Sequence, residues 1–490
     1  MSSTFTSYRI AVSGMYANQT ALTVVTSNIA NVDTEGYSRK IVSNTEQVVS
    51  RSATTTSGSG VTVVAIRRAR DTFLDQSYRQ KNATASYWET KTTNLTSLQE
   101  TLNEFAVTDG TANNGLQQAF TDFFNSWAEL SKDPSSQANR QSVVENAQTM
   151  LSTLQDIEEQ LVQLQEDSVA AVQTGVATLN GLAEQVAAVN GQIAQAELSG
   201  AEAGDLRDQR DNLLDQMSAL TNLKVTENAN GMVEVSIGGV SLVTGTTARA
   251  LKTVGNGTVE NPLQVQWTDL GVEAAITNGS VFAHLEDADQ SGVTAVASFP
   301  SDFTASLDSS VANLRQGLNV LFTTIATAIN DLQTSGYDLD GNAGVAFFVA
   351  VDSSQALSLS NVQINPALDD VDLVVASSTG SSGDGSVAEQ IYDLMSDETL
   401  FKFEGLTSDL TGFYQSLVSW VATAGANADG YYETQSALVQ QVDNQRQAVS
   451  SVSLDEEMAK MIAYQSAYNA CAKVLTTVDS LIANMIEDWG

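Results

Sequence analysis

Two apolar stripes with the same alternation of three- and four-residue steps stand at opposite ends of this chain. At the N-terminus Phe5, Tyr8, Val12, Met15, Leu22 and Ile29 keep the register, with Gln19 and Thr26 as polar exceptions. At the C-terminus Met461, Tyr464, Tyr468, Cys471, Leu475, Val478, Ile482 and Met485 keep it without a break. Each stripe is the seam of an amphipathic helix. Neither has a partner next to it in sequence, so the two are predicted to pair with each other. The only prolines are Pro134, Pro262, Pro300 and Pro366, which leaves both ends clear of the strongest helix breaker. The first helix should end near Asn31 to Gly36, where Asn, Asp and Gly favour a turn.

Charge and composition then narrow the function classes. Lys and Arg total 22 against 58 Asp and Glu, a net charge of -36, which argues against a protein that neutralises nucleic-acid phosphates or an anionic membrane. One cysteine, Cys471, cannot close an internal disulfide, and one histidine, His284, cannot build a His-rich metal site. Cys471 sits inside the apolar seam and reads as a small buried hydrophobe, not a nucleophile. The N-terminal stretch lacks the apolar core of a secretory signal peptide, and no window approaches 18 uninterrupted apolar residues. A soluble chain outside the standard secretory route is expected.

Between the ends the pattern is mostly helical. Met150, Leu154, Ile157, Leu161 and Leu164 form one stripe, and Val172, Val176, Leu179, Ala183 and Val186 continue it after a phase shift. A single helix over residues 137 to 200 would extend about 95 Å, but Gly175, Gly181 and Gly191 predict a break. Leu307, Val311, Leu314, Leu318, Leu321, Ile325, Ala328 and Leu332 predict another long helix. Val233, Val235 and Ile237 alternate with polar residues before Gly238-Gly239 and then Val240 and Leu242, a hairpin signal. Further β-prone stretches stand at residues 263 to 267, 345 to 351 and 371 to 376. From Thr253 to Phe401 there are 20 acidic residues against one basic residue, Arg315, whereas residues 1 to 140 carry 12 of each sign. A solvated outer face explains that load. The expected fold is multidomain and mainly α: terminal helices paired as a coiled coil, a long-helix bundle domain, and a β-rich outer domain inserted in the middle.

Sites for chemistry are scarce. Asp287, Asp289, Ser291 and Gly292 open like a calcium loop, but Ser298 stands where a bidentate Glu is required. Asp338, Asp340 and Asn342 begin similarly, with Ala343 and Val349 in place of the needed Gly and Glu. Both read as turns. Arg67, Arg68 and Arg70 could meet phosphate, but Asp71 and Asp75 follow at once, so a charged strand edge or helix start is expected. No phosphate loop, nucleophile elbow or paired-Cys motif is present. No catalytic residue, cofactor or metal site is predicted, and an enzyme is not expected.

The run Asn28-Ile29-Ala30-Asn31-Val32-Asp33-Thr34-Glu35-Gly36-Tyr37-Ser38-Arg39-Lys40 resembles the N-terminal signature of bacterial flagellar axial proteins, and its ending Gly36, Tyr37, Ser38, Arg39 resembles that of the hook-associated protein 1 family. That family usually has Gln where Lys40 stands. The resemblance continues through Arg70-Asp71-Thr72-Phe73-Leu74-Asp75, Phe123-Phe124, Asp205 to Asp211, Gly336 to Gly341, Phe347-Phe348 and Ser453 to Met458. It implies a structural adaptor joining hook to filament, exported without a cleaved signal by the flagellar type III apparatus to an extracellular site on the flagellum. It also implies partners: further copies of the chain, hook protein, a second junction protein on the filament side, and an export chaperone at the C-terminal helix. The two terminal stripes would be the assembly interface, and residues 1–50 with 445–490 the inner tube. Residues 51–222 with 305–335 and 386–444 would be the helical domain, and 223–304 with 336–385 the acidic outer domain. The competing reading is a secreted coiled-coil adhesin or exoprotein with an acidic binding head.

Overall fold

The computed structural model describes residues 2–51, 56–102, 115–290, 310–403 and 406–487. Its helices, in chain order, are α1 (Ser2–Ala30), α2 (Thr72–Leu102), α3 (Leu116–Lys132), α4 (Gln137–Ala196), α5 (Gly204–Leu220), α6 (Ser280–Ala288), α7 (Ser310–Ser335), α8 (Ser386–Asp393), α9 (Leu410–Ser450) and α10 (Leu454–Glu487). The strands are β1 (Lys40–Arg51), β2 (Thr56–Arg68), β3 (Lys224–Glu227), β4 (Val233–Ile237), β5 (Val240–Thr244), β6 (Thr247–Ala248), β7 (Leu251–Val254), β8 (Gln264–Trp267), β9 (Phe348–Val349), β10 (Gln363–Ile364), β11 (Phe401–Phe403) and β12 (Leu406–Ser408). They fall into two compact units: residues 1–85, 178–250 and 435–490 in the first, residues 86–177 and 251–434 in the second. The fold is multidomain and mainly α with small sheets, as the periodicity predicts.

In the first unit α1 packs along α10, and both leave side chains half-exposed along the pair. The two helices come close at Gly14, where an added Cβ would stand 3.0 Å from the Cys471 sulfur. The antiparallel hairpin β1–β2 leans on α1: Gly60 adopts φ +125, a Cβ there would come within 2.1 Å of the Ser13 hydroxyl, and Val61 N donates to that hydroxyl at 3.1 Å. The strands β3–β4–β5–β6 form an antiparallel sheet. Its β4–β5 turn is the Gly238-Gly239 pair at φ 56 and 88, the left-handed conformation that a two-residue hairpin of this type demands. Asn190 of α4 ties to this sheet by donating to the carbonyls of Val233 and Gly245 at 2.8 Å each.

The second unit holds the main hydrophobic core. Phe120, Phe123, Phe124, Trp127 and Leu130 recur at helical spacing on α3 and are all buried. Phe123 and Trp127 meet Phe347, while Phe348 meets Phe322 of α7 edge-on with centroids 5.5 Å apart. The α7 stripe from Val311 to Ile325 is fully buried, and Leu307 lies outside the described residues.

Three expectations need correction. The break predicted in residues 137 to 200 is absent: α4 runs unbroken for 60 residues. Two of its glycines are there for packing, since a Cβ at Gly175 would come within 2.7 Å of Val281 and one at Gly191 within 3.3 Å of Thr246. The β-prone stretch at 371 to 376 begins instead as a 3-10 turn, Val371–Leu373, started by the Asp370 side chain accepting from Asp372 N. Asp287 is not in a turn but in α6, fully buried, while Ser291, Gly292 and Ser298 lie outside the described residues.

Asp287 belongs to a buried ion cluster in the second unit. Lys91, with no exposed surface, lies 2.9 Å from Glu286 and 3.0 Å from Asp287, and Asn94 donates to Asp287 at 2.6 Å. Burial lowers the Lys91 pKa, but the two carboxylates outweigh it and keep the amine charged. Lys91→Met would strand two carboxylates in the interior, so the variant should lose about 3 to 5 kcal/mol of unfolding free energy. Urea denaturation of the full chain measures this, and a loss below 1 kcal/mol would contradict it.

Candidate functional site

The signature segment that follows α1 folds into a lock between elements at opposite ends of the chain, all within the first unit. Asn28, in the last turns of α1, is buried and uses every hydrogen-bonding position of its amide. Its Oδ1 accepts from Lys40 N and from the Tyr37 hydroxyl, each at 2.9 Å. Its Nδ2 donates to the Lys40 carbonyl at 3.0 Å and to Glu457 Oε2 of α10 at 2.9 Å. Glu457 is equally buried and is balanced by Lys460 at 2.7 Å. One side chain thus joins the end of α1, the start of β1 and the start of α10.

The residues after Asn28 shape the turn that makes this possible. Asn31 Nδ2 donates to the Ser27 carbonyl at 2.9 Å and Thr34 N to the Asn31 carbonyl at 3.0 Å, which closes α1. Gly36 takes φ +76, and a Cβ there would lie 2.5 Å from the Asn212 amide, so both backbone and space demand glycine. Ser38, fully buried, gives both its N–H (3.0 Å) and its hydroxyl (2.6 Å) to Asp208 of α5. Arg39 holds the far side: its N–H donates to Ser450 O at 2.8 Å and its guanidinium meets Glu456 at 3.1 Å. Lys40 pairs with Asp205 at 2.6 Å and lies over the Tyr37 ring.

Beneath the lock is an ionic hub that sequence reasoning missed. Asp208, Asp211 and Asp215 recur at helical spacing on one face of α5. Arg68 bonds Asp208 at 2.7 Å and Asp211 at 2.8 Å, and Arg79 bonds Asp215 at 2.7 Å and Asp211 at 3.2 Å. Arg70 pairs with Asp75 at 2.8 Å, and Arg446 of α9 pairs with Asp215 and stacks on Tyr78. The basic residues of the same α5 motif face the other way: Arg207 pairs with Glu197 and Glu227, and Arg210 donates to the Gly231 carbonyl at 2.6 Å. The Arg67-Arg68-Arg70 run is therefore the end of β2 and the connector that precedes α2, with Arg68 and Arg70 committed to this hub. The available signal was the charge order of residues 205 to 211 read at helical spacing.

The two stripes lie along the α1–α10 pair. Val12, Met15, Leu22 and Ile29 are half-buried and Tyr8 is exposed, while Phe5 lies in the opening turns of α1. The fully buried positions of α1 are the smaller Ala11, Ala17, Ala21, Val24 and Val25. On α10, Met461, Tyr464, Tyr468, Cys471, Leu475 and Ile482 are half-buried, Val478 is buried and Met485 is exposed. Large apolar side chains also face solvent beside the pair, among them Tyr16 (62%) and Ile462 (63%).

Asp211 sets the acid response of the hub. Burial pushes its carboxyl up, but the guanidinium groups of Arg70, Arg68 and Arg79 outweigh that and hold it at about 2. A carboxylate depressed in the fold stabilises it fully above the ordinary carboxylate pKa and loses that contribution as pH falls through about 4 towards 2, a term of about 2 kcal/mol. Asp211→Asn should therefore lose stability at neutral pH and show a flatter pH dependence in that window. Denaturant titrations from pH 2 to 7 measure both slopes, and identical slopes would refute the assignment.

Comparison with known proteins agrees with this architecture. The family described as flagellar hook-associated protein FlgK helical domain matches residues 106–348, flagella basal body rod protein matches 9–37, and the flagellar basal body rod FlgEFG protein C-terminal family matches 445–487. The two rod-type segments thus cover most of α1 with the signature turn, and α10. Flagellar hook-associated protein 1 of Bacillus subtilis is 28% identical over 100% of this chain and 99% of its own length. Its namesakes from Escherichia coli and Salmonella typhimurium are 24% and 25% identical over 97% and 96% of this chain. The solved structure of the flagellar hook junction protein FlgK from Burkholderia pseudomallei has the same fold, with a TM-score of 0.61 over 77% of this chain and all of that one, at 16% identity. A FlgK-type helical domain framed by rod-type terminal segments, with relatives of one name aligned over nearly their whole length, makes this chain similar to flagellar hook-associated protein 1 from end to end.

Proposed function

We propose that the chain is a non-catalytic adaptor that joins hook to filament by axial self-assembly of its terminal helices. The observation that carries this reading is the α1–α10 pair, built from opposite ends of the chain, locked at one end by Asn28 and Glu457, and still bearing exposed apolar side chains along its length. A helix pair that leaves Tyr16 and Ile462 in water gains by burying them against further copies, at about 25 cal/mol per Å². The exposed acidic residues between Thr253 and Phe401 face outward in this reading, because unpaired carboxylates are costly inside a packed tube, whereas Asp287 is buried and paired with Lys91. Hook protein on one side and a second junction protein on the other are the axial neighbours. The same exposed face of α10 is held by an export chaperone before secretion, which needs no cleaved signal. An adhesin with an acidic head finds no support in the full-length relatives.

Leu475, half-buried at the middle of the α10 seam, tests the reading. Leu475→Asp would forfeit roughly 1.5 to 3 kcal/mol of burial in each assembled subunit and add the desolvation of a charge. Cells carrying it should build hooks, export the variant and shed filament subunits into the medium, while the main thermal transition of the purified chain stays unchanged. Normal export with firmly attached filaments would overturn the assembly role of α10.

A further inference from the structure

One groove of the first unit is left unfilled by the chain itself. It has a volume of about 690 Å³ and lies between the last turns of α1, the Val63 to Arg68 end of β2 and the loop at 200–206. Val24 and Ile66 contribute apolar wall, and Val64 stands 57% exposed. Two of the three cations around the groove are already neutralised, Lys40 by Asp205 and Arg68 by Glu202. Arg67 is exposed and has no ion-pair partner among the described residues. The groove therefore offers an apolar wall with one uncompensated positive charge, in a chain whose net charge is -36.

The same chain carries the complement. Phe73, in the first turn of α2, is 73% exposed, an unusual state for a Phe at the start of a well-packed helix. Asp71, also exposed, accepts from Phe73 N at 2.9 Å, so its carboxylate is held at the same turn as Phe73. Phe73 is not among the residues lining the groove. An aromatic knob with an adjacent anion matches an apolar groove with an adjacent free cation in both shape class and charge.

We propose that the groove of one copy receives the Phe73 turn of a second copy, with Asp71 of the incoming copy facing Arg67 of the receiving one. Knob and groove are different surfaces, and when each copy gives its knob to one neighbour and takes a knob from another, the contact repeats head-to-tail around a ring or along a helix. The inference rests on the self-assembly reading above and names the surfaces that would perform it.

Two tagged forms of the full chain test it, both with Cys471→Ala: one carries Val64→Cys, the other Phe73→Cys. Expressed together in a strain lacking the native chain, they should give a disulfide-linked mixed dimer when intact flagella are oxidised, and neither form alone should give one. Attached filaments without the mixed dimer, or a disulfide from position 64 to a different protein, would overturn the groove assignment while leaving the junction reading in place. A deletion strain that keeps its filaments would instead overturn the junction reading. Should the cysteine forms fail to assemble, Phe73→Ala decides: filament shedding should rise about tenfold or more, as for loss of a buried aromatic anchor, with the thermal transition unchanged. Firm attachment with Phe73→Ala would refute the proposal.

Discussion

The first unit depends on a carboxylate face meeting a guanidinium cluster. Asp208, Asp211 and Asp215 project from one side of α5, and Arg68, Arg70, Arg79 and Arg446 converge on them from β2, the connector after it, α2 and α9. Each of these groups is largely withdrawn from water, and a lone ion there would cost several kcal/mol, so each is tolerable only because the others are in place. The arrangement favours one geometry of hairpin, helix and C-terminal segment over looser alternatives, because bidentate guanidinium contacts tolerate little displacement.

The lock above the hub turns that geometry into a fixed exit for the terminal helices. Ser38 is bound to Asp208, and Arg70 also reaches the Ser38 hydroxyl at 3.3 Å, so the signature turn rests on the hub. Asn28 then passes the constraint to α10 through Glu457. The spelling of the turn has separate physical causes at each position: amide saturation at Asn28, left-handed backbone at Gly36, and a two-point contact to a buried carboxylate at Ser38.

What could be read from the sequence was local and periodic. The α10 seam, the α7 stripe and the Gly238-Gly239 hairpin follow from spacing and turn chemistry alone, and their burial follows the same spacing. The motif turn was legible as a family signature, but its partners were not. Arg68 finds Asp208 across 140 residues, and nothing in either neighbourhood names the other. The α4 glycines misled for a related reason. Their intrinsic helix penalty of about 1 kcal/mol each is real, but at Gly175 and Gly191 the missing Cβ is what admits Val281 and Thr246. Tertiary packing decided against the propensity. The exposed Phe73 and the groove beside Arg67 are likewise features of surface, which periodicity does not report.

The hydrogen bond from Asn28 to Glu457 spans 429 residues. A contact of that separation closes a very long loop and comes late in folding, since the entropy of closure must be met before the contact can reward it. The unit that carries both ends of the chain therefore reaches its finished form only when the last helix has become available. Synthesis or passage through a narrow conduit always presents one end before the other, so the first helix waits unlatched in the interval. The fold carries its own completion signal: a truncated chain lacking α10 keeps the hairpin contacts of α1 but has nothing to latch the two ends of the chain together.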